Sequence, residues 1–326
     1  MSEGAEPKTK AGKVGLMGFE SWRKAVPPPA LRLLGREVTG TVSWNMNDTC
    51  NYRCSYCTQR FNPDRSGHLD DAAIARHIRA FTTLPGCWEV KLSGGEPFRQ
   101  PGLVDIARGL VAHGHIVSIQ TNFSAPERQL LAFLEATTGS LHVFAASLHL
   151  EYATVAEFIA RQKLLEPWVR DHGLSFCVTS VATPARLREL HDEVAPAFRE
   201  AGIRFKVQPE KVHGVVRSYS DDEQRLLLAL GGHNGLGDIA PDFQGRLCWA
   251  GSRYLIVKTS GEAFRCCAAS RVGGKWARVG SIDEGFDLRD GPRACAYTHC
   301  NCTVPIERGM IAGVSPRGLS HLDEEV

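Results

Sequence analysis

Between residues 40 and 210 the apolar positions keep switching between two rhythms. Short dense runs, rich in β-branched and aromatic residues, occur at Thr41–Asn47, Trp88–Ser93, Ile116–Asn122, Leu141–Leu148, Ser175–Val181 and Ile203–Pro209. Runs of this length and composition predict strands. Between them the apolar residues recur at helical spacing. Ile74, Ile78 and Phe81 share a face, as do Leu103, Ile106 and Leu110, with Gly114 as a stop. Val155, Phe158 and Ile159 open a helix that Pro167 is expected to kink or end. Thr183-Pro184 predicts a cap and first turn, Leu187, Leu190, Val194 and Phe198 a stripe, and Gly202 its end.

Six strand–helix units in series predict a parallel sheet wound in one direction. Six is fewer than a full eight-fold barrel needs, so the expected α/β fold is an open, partial (β/α)6 TIM-like barrel. In such folds the reactive loops lie at the C-terminal ends of the strands. After residue 212 the pattern changes. Ser220 caps a helix in "SDDEQRLLLAL", and "GGHNGLGDIAPDFQG" reads as a linker. "RYLIVKTSGEAFRCC" reads as a β-hairpin turned by Ser260-Gly261. The expected division is residues 1–38 as a tail and barrel-packing segment, 39–215 as the barrel, 216–245 as helix and linker, and 246–326 as a small C-terminal domain and tail. Within the first part, the Pro-interrupted Ser21–Gly35 is expected to pack on the outside of the barrel.

Composition narrows the class. The 326 residues are 43% apolar, enough for a sizeable core, with no run long enough to span a membrane. The polar start lacks the apolar core of a secretion signal, which points to the cytoplasm. A net charge of +2 supplies no basic field for nucleic acid. Against that background eleven cysteines stand out. Disulfides are disfavoured in the cytosol, so clustered cysteines read first as metal ligands or catalysts. Three fall at 50–57 and six at 248–302, while Cys87 and Cys177 sit in or beside apolar runs and read as packing.

The first group, Cys50, Cys54 and Cys57, follows the first strand at C-x3-C-x2-C spacing, with Tyr56 before the last cysteine. Three thiolates leave one iron of a [4Fe-4S] cube with an open position, which separates a reactive metal site from a structural one. No fourth ligand of zinc spacing follows nearby. The spacing and the aromatic resemble the signature of the radical S-adenosylmethionine (radical SAM) superfamily. That resemblance implies that Cys50, Cys54 and Cys57 are both metal ligands and catalytic, and that S-adenosylmethionine (SAM) chelates the open iron. It further implies reductive cleavage to a 5′-deoxyadenosyl radical, which takes hydrogen from an unactivated carbon. "SGGEP" after the second strand resembles the family's glycine-rich loop, so Gly94, Gly95 and Glu96 are expected at the methionine amine. "SIQTN" offers Thr121 and Asn122 for the ribose and carboxylate, and Ser147 ends the fourth strand toward the same groups. Gln208 of "VQPE" is expected near the adenine, with Tyr56 packed there. His149 reads equally as a proton or substrate contact and as a hydrogen-bonded structural histidine.

The second group runs C-x12-G-x4-C from Cys248 through Gly261 to Cys266. This resembles the twitch extension of radical SAM enzymes, the shorter relative of the SPASM domain. It implies an auxiliary [4Fe-4S] cluster held by Cys248, Cys266, Cys300 and Cys302. Cys295 stands as the alternative to either of the last two, Cys267 as a bystander, and zinc as the runner-up metal. "CAYTHCNC" departs from the C-x2-C of a tidy single-cluster version. The resemblance implies an oxidoreductase-type radical SAM enzyme acting on a small molecule, a sugar or related metabolite, with a flavodoxin- or ferredoxin-type electron donor. A peptide- or protein-modifying maturase is the first alternative, although only about 40 residues precede the first strand, short for a leader-binding domain. A rearrangement like that of molybdopterin biosynthesis is another, and the ending "LDEEV", in place of paired glycines, counts against it. A non-catalytic iron–sulfur electron carrier is the reading from a different class.

Overall fold

The computed structural model describes residues 30–58, 67–212, 215–232, 239, 242–274, 276–298, 300 and 303–314. A short hairpin, β1 (Leu31–Leu33) and β2 (Arg36–Val38), comes first. Then β3 (Gly40–Asn45), β4 (Trp88–Ser93), β5 (Ile116–Thr121), β6 (Leu141–Leu148), β7 (Ser175–Ala182) and β8 (Phe205–Pro209) pair in chain order, all parallel. Each crossover carries helix, as parallel neighbours require. These are the six predicted units, and they form the partial barrel.

Period-2 alternation sorts the two faces of the sheet. Val42, Trp44, Val90, Leu92, Phe144 and Val178 are buried in the core that the helices cover. Trp44 stacks on His77 and meets Phe81 edge-on, both from helix Asp71–Thr82. Each such fully buried side chain stabilises the fold by roughly 1.5–3 kcal/mol. The intervening positions of β3 and β4 are polar, and polar groups of adjacent strands meet: Thr41 and Ser118 both donate to Glu89. Helix Glu127–Ala136, which the sequence reading did not single out, buries Leu130, Phe133 and Leu134 against the same core.

Pro167 ends nothing abruptly. It occupies the first turn of a separate helix, Glu166–His172, where its missing N–H is not needed. Thr183 makes no side-chain cap. Pro184–Arg186 is a 3-10 turn, and the helical stretch 187–200 contains a widened π turn at Leu190–Val194. Pro196 follows that turn directly and has no N–H for the carbonyl of Asp192, which accounts for the widening. Leu187, Leu190, Val194 and Phe198 are nonetheless all buried, as their spacing predicts.

The C-terminal region departs from the expected layout. After β9 (Lys211–Val212), β10 (Val215–Val216) and β11 (Leu247–Cys248), the predicted hairpin forms as β12 (Tyr254–Val257) and β13 (Glu262–Phe264). Gly261 holds its turn at φ +85°. But β12 also pairs in parallel with β3, Tyr254 opposite Thr41 and Ile256 opposite Ser43. With β14 (Arg278–Ser281) and β15 (Gly285–Phe286) it extends the barrel sheet to ten strands among the described residues. The pairing covers the free edge of β3, which would otherwise expose unpaired backbone groups. A last strand, β16 (Arg293–Ala294), pairs with β11. The β1–β2 hairpin packs Leu33 and Val38 on Ile116 and Cys87. That places residues 31–38 at the N-terminal ends of β4 and β5, opposite the reactive loops, rather than along the outer wall. Residues 21–29 of the proposed packing segment lie outside the described residues.

Candidate active site and a second cysteine centre

The C-terminal end of β3 leads into the loop carrying Cys50, Cys54 and Cys57. Two strand ends hold that loop from beneath. Asn47, fully buried, donates from Nδ2 to the carbonyl of Glu96 at 2.9 Å, and its Oδ1 accepts from Gly95 N at 3.0 Å. Glu96 N donates to the carbonyl of Thr49 at 2.7 Å. The approach is so close that a Cβ on Gly95 would lie 2.0 Å from the Thr49 oxygen, and one on Gly94 2.5 Å from the Asn47 oxygen. Gly94 also holds φ +143°. The glycine-rich loop and the base of the cysteine loop are thus one clamped unit.

Glu96 is buried, and its carboxylate faces inward. Oε1 accepts from Phe98 N (3.0 Å) and Thr121 Oγ1 (2.7 Å), and Oε2 accepts from Asn122 N (2.6 Å). Burial pushes its pKa up to about 6, against the pull of these bonds. Glu96, expected at the methionine amine, orders Thr121 and Asn122 at the end of β5. Asn122 in turn donates to Asn51 Oδ1 at 2.9 Å and lies 3.9 Å from Cys50 Sγ. Ser147 accepts from Gln120 at 3.3 Å. Gln208 lies next to last on β8, and among the described residues no side-chain hydrogen bond ties it to this group.

The other flank of the cysteine loop rests on the segment after β6. Tyr56 Oη and His149 Nδ1 share a hydrogen bond at 2.9 Å, their rings stacked with centroids 5.9 Å apart. Burial lowers the pKa of His149 and raises that of Tyr56, which favours the neutral form of both. His149 therefore serves as a structural partner of Tyr56. Tyr52 stacks on Tyr152 at 4.4 Å, and Glu151 accepts from Ser55 N (3.0 Å) and Ser55 Oγ (2.5 Å).

The three thiols face one another within electrostatic reach. Burial, then Glu151, pushes Cys54 up to about 11, and burial raises Cys50 as well. Unligated, Cys50 and Cys54 are neutral thiols at pH 7; iron binding must displace their protons. Soft sulfur donors on a loop with Cys57 exposed suit an iron–sulfur cube with one accessible corner. Asn47, Thr49, Asn51 and Glu151 were missed by sequence reasoning. Asn47 ends a predicted strand and carries no motif; only its pairing partner 48 residues away gives it meaning.

The second group also converges. Cys248, Cys266, Cys267, Cys295 and Cys300 line one apolar cavity. Cys248 is on β11 beside β16, which brings in Cys295, whose N–H donates to the carbonyl of Arg246 at 2.8 Å. Cys266 caps helix Cys267–Val272 through its sulfur. Burial pushes Cys248 up to about 12, with Cys266 and Cys295 adding to the rise. Cys267 also lines the cavity, and Cys302 lies outside the described residues. Among the described residues no three His, Cys, Asp or Glu side chains gather as they would on a single ion. A cube differs in taking its thiolates at separate corners.

A buried ion-pair chain joins the two regions. Glu89 of β4, fully buried, accepts both Nε (3.1 Å) and Nη2 (2.9 Å) of Arg308. Its neighbour Glu307 accepts from Lys206 of β8 at 3.1 Å.

Comparison with known proteins agrees with this geometry. Residues 44–172 match the family model described as Radical SAM superfamily. GTP 3′,8-cyclase of Synechococcus elongatus is 39% identical over 71 residues, 21% of each chain. The enzyme of that name from Hydrogenovibrio crunogenus is 30% identical over 113 residues, 33% of this chain and 34% of that one. The chain thus matches only a fifth to a third of the length of these curated relatives. Among solved structures, anSMEcpe with bound AdoMet aligns at TM-score 0.55 and 14% identity, over 77% of this chain and 80% of that one. Streptococcus suis SuiB bound to S-adenosylmethionine aligns at 0.53 and 16%, over 78% and 66%. The fold is therefore that of the radical SAM partial barrel, and the family match supports a radical SAM assignment for the segment that carries the three-cysteine loop. Among the described residues no helix is long and apolar enough to cross a membrane.

Proposed function

We propose that this protein is a radical SAM enzyme that acts on a small molecule, with an auxiliary iron–sulfur cluster near its C-terminus. The observation that carries the reading is the clamp: a three-thiol loop fixed through Asn47 and Thr49 to the backbone of Gly94–Glu96. When bound, the first cluster supplies the electron that cleaves SAM, delivered by a flavodoxin- or ferredoxin-type donor. Cys50, Cys54 and Cys57 hold its iron. The backbone at Gly94 and Gly95 receives the methionine end, and Asn122, oriented by Glu96 and Asn51, closes the same side. Tyr56, Ser147 and Gln208 lie toward the nucleoside. Cys248, Cys266, Cys295 and Cys300 are the auxiliary ligands that the shared cavity supports.

The local likeness to GTP 3′,8-cyclases favours a small molecule. An anSMEcpe structure with a bound peptide shares the fold at 16% identity, so peptides enter the same assay as the competing class. The test incubates anaerobically reconstituted protein with dithionite, unlabelled SAM, and deuterated GTP, sugar alcohols or short peptides. Deuterium appearing in 5′-deoxyadenosine then marks the substrate that gave up its hydrogen. Transfer from a deuterated small molecule supports the reading, transfer only from peptides shifts the substrate class, and no 5′-deoxyadenosine with any of them refutes the activity.

A further inference from the structure

Arg265 stands among the thiols of the second group. It directly precedes Cys266, lines the same cavity, and is 7% exposed. Its Nε has no hydrogen-bond partner, and no carboxylate pairs with it, among the described residues. Its guanidinium lies 5.1 Å from the ring centroid of Tyr297, whose hydroxyl is tied to the carbonyl of Gly273 at 3.0 Å. A cation over an aromatic face gains about 0.5–2 kcal/mol. Burying an unpaired cation costs several kcal/mol, so the ring does not balance it.

Two further arginines stand nearby. Arg293 lines the cavity too. Arg289 has its pKa lowered first by burial and then by Arg265 and Arg293, with Asp287 opposing them. Positive charge has been gathered where, among the described residues, the other titratable groups lining the cavity are Tyr297 and cysteines. A thiolate-ligated iron–sulfur cluster carries net negative charge and resolves this.

We propose that Arg265 is the buried charge partner of an anionic iron–sulfur cluster in this cavity and that it raises the cluster's reduction potential. The proposal rests on the auxiliary cluster proposed above. Reduction adds negative charge to the cluster, and a fixed cation beside it in a medium of low polarity favours the reduced form. Arg265 is a positioning and tuning residue here, with no contact to substrate required.

The test uses the full chain with Cys54→Ala, anaerobically reconstituted, so that only the second cluster gives a signal. Arg265→Met and Arg265→Lys are added, iron is counted, and the reduced cluster is titrated by electron paramagnetic resonance against potential. Arg265→Met should lower the reduced-to-oxidised ratio at fixed potential by at least about tenfold, ~59 mV for a one-electron couple. Arg265→Lys, which keeps the charge, should stay near the parent value. Loading in Arg265→Lys but not in Arg265→Met supports the charge requirement. Equal iron with an unchanged midpoint in Arg265→Met, or failure of both variants to load, overturns the proposal while leaving the cluster standing. A parent without iron at the second group refutes the cluster itself.

Discussion

Cys54→Ala is expected to bring 5′-deoxyadenosine formation to background and to lower iron from about eight to about four per chain. The reason is geometric. Cys54 sits between its two partners on a loop whose ends are fixed by the Gly94–Glu96 clamp and by the His149–Tyr152 segment. No neighbouring histidine replaces it, since His149 is committed to Tyr56 and His68 to Thr49 at 2.6 Å. The second cysteine group should load normally, because it draws on other elements. Iron analysis and chromatography of the nucleoside product check both halves. Retained activity in the alanine variant would remove Cys54 from the mechanism.

Glu89→Ala is expected to destabilise the fold by about 3–5 kcal/mol, read from urea unfolding, because it strands Arg308 in the barrel interior without a partner. Arg308 side chain is 11% exposed and Glu89 is fully buried, so solvent screens little of the loss. The double variant Glu89→Ala/Arg308→Met should recover much of it, which separates a stranded charge from a simple cavity. The pH dependence has a definite sign. Burial alone would raise Glu89, but Lys91 and Arg308 outweigh it and hold its carboxyl well below the usual range. Burial would raise Glu307 too, but Lys206 and Lys91 outweigh it and hold Glu307 at about 2. Both therefore contribute stability that is present above the unfolded value of 4.5 and is lost as pH falls through the folded values. Glu96 acts oppositely: with its pKa raised to about 6, it binds its proton more tightly folded than unfolded, so its contribution falls as pH rises from 4.5 to 6. Glu89→Ala should flatten the acid limb below pH 4.5 and leave the limb above it unchanged.

The sequence made the barrel legible because its strands announce themselves locally. Trp88–Ser93 and Leu141–Leu148 form over the predicted ranges, and each is bounded by helical spacing. The reactive loop was legible for the same reason, its three cysteines lying within eight residues. What stayed hidden is what depends on distant pairing. Nothing near Tyr254 indicates that it will lie beside Thr41, and Glu89 reads as a stray charge until Arg308 arrives 219 residues later. The sequence offers Glu96 for an amine because an acid beside glycines suits one, but its three inward hydrogen bonds follow only from the way β5 ends beside β4. In the second group, thiol counting left six candidates for four places, and the β11–β16 pairing is what brings Cys295 to Cys248.

The central claim is that the first cluster keeps one iron free of protein ligands for SAM. The direct measurement is the electron paramagnetic resonance spectrum of the dithionite-reduced protein, recorded before and after adding SAM. The account predicts that the signal from the Cys50–Cys54–Cys57 cluster shifts on addition, and that the shift is missing in Cys54→Ala. A reduced cluster assigned to those cysteines whose spectrum is identical with and without saturating SAM would contradict it.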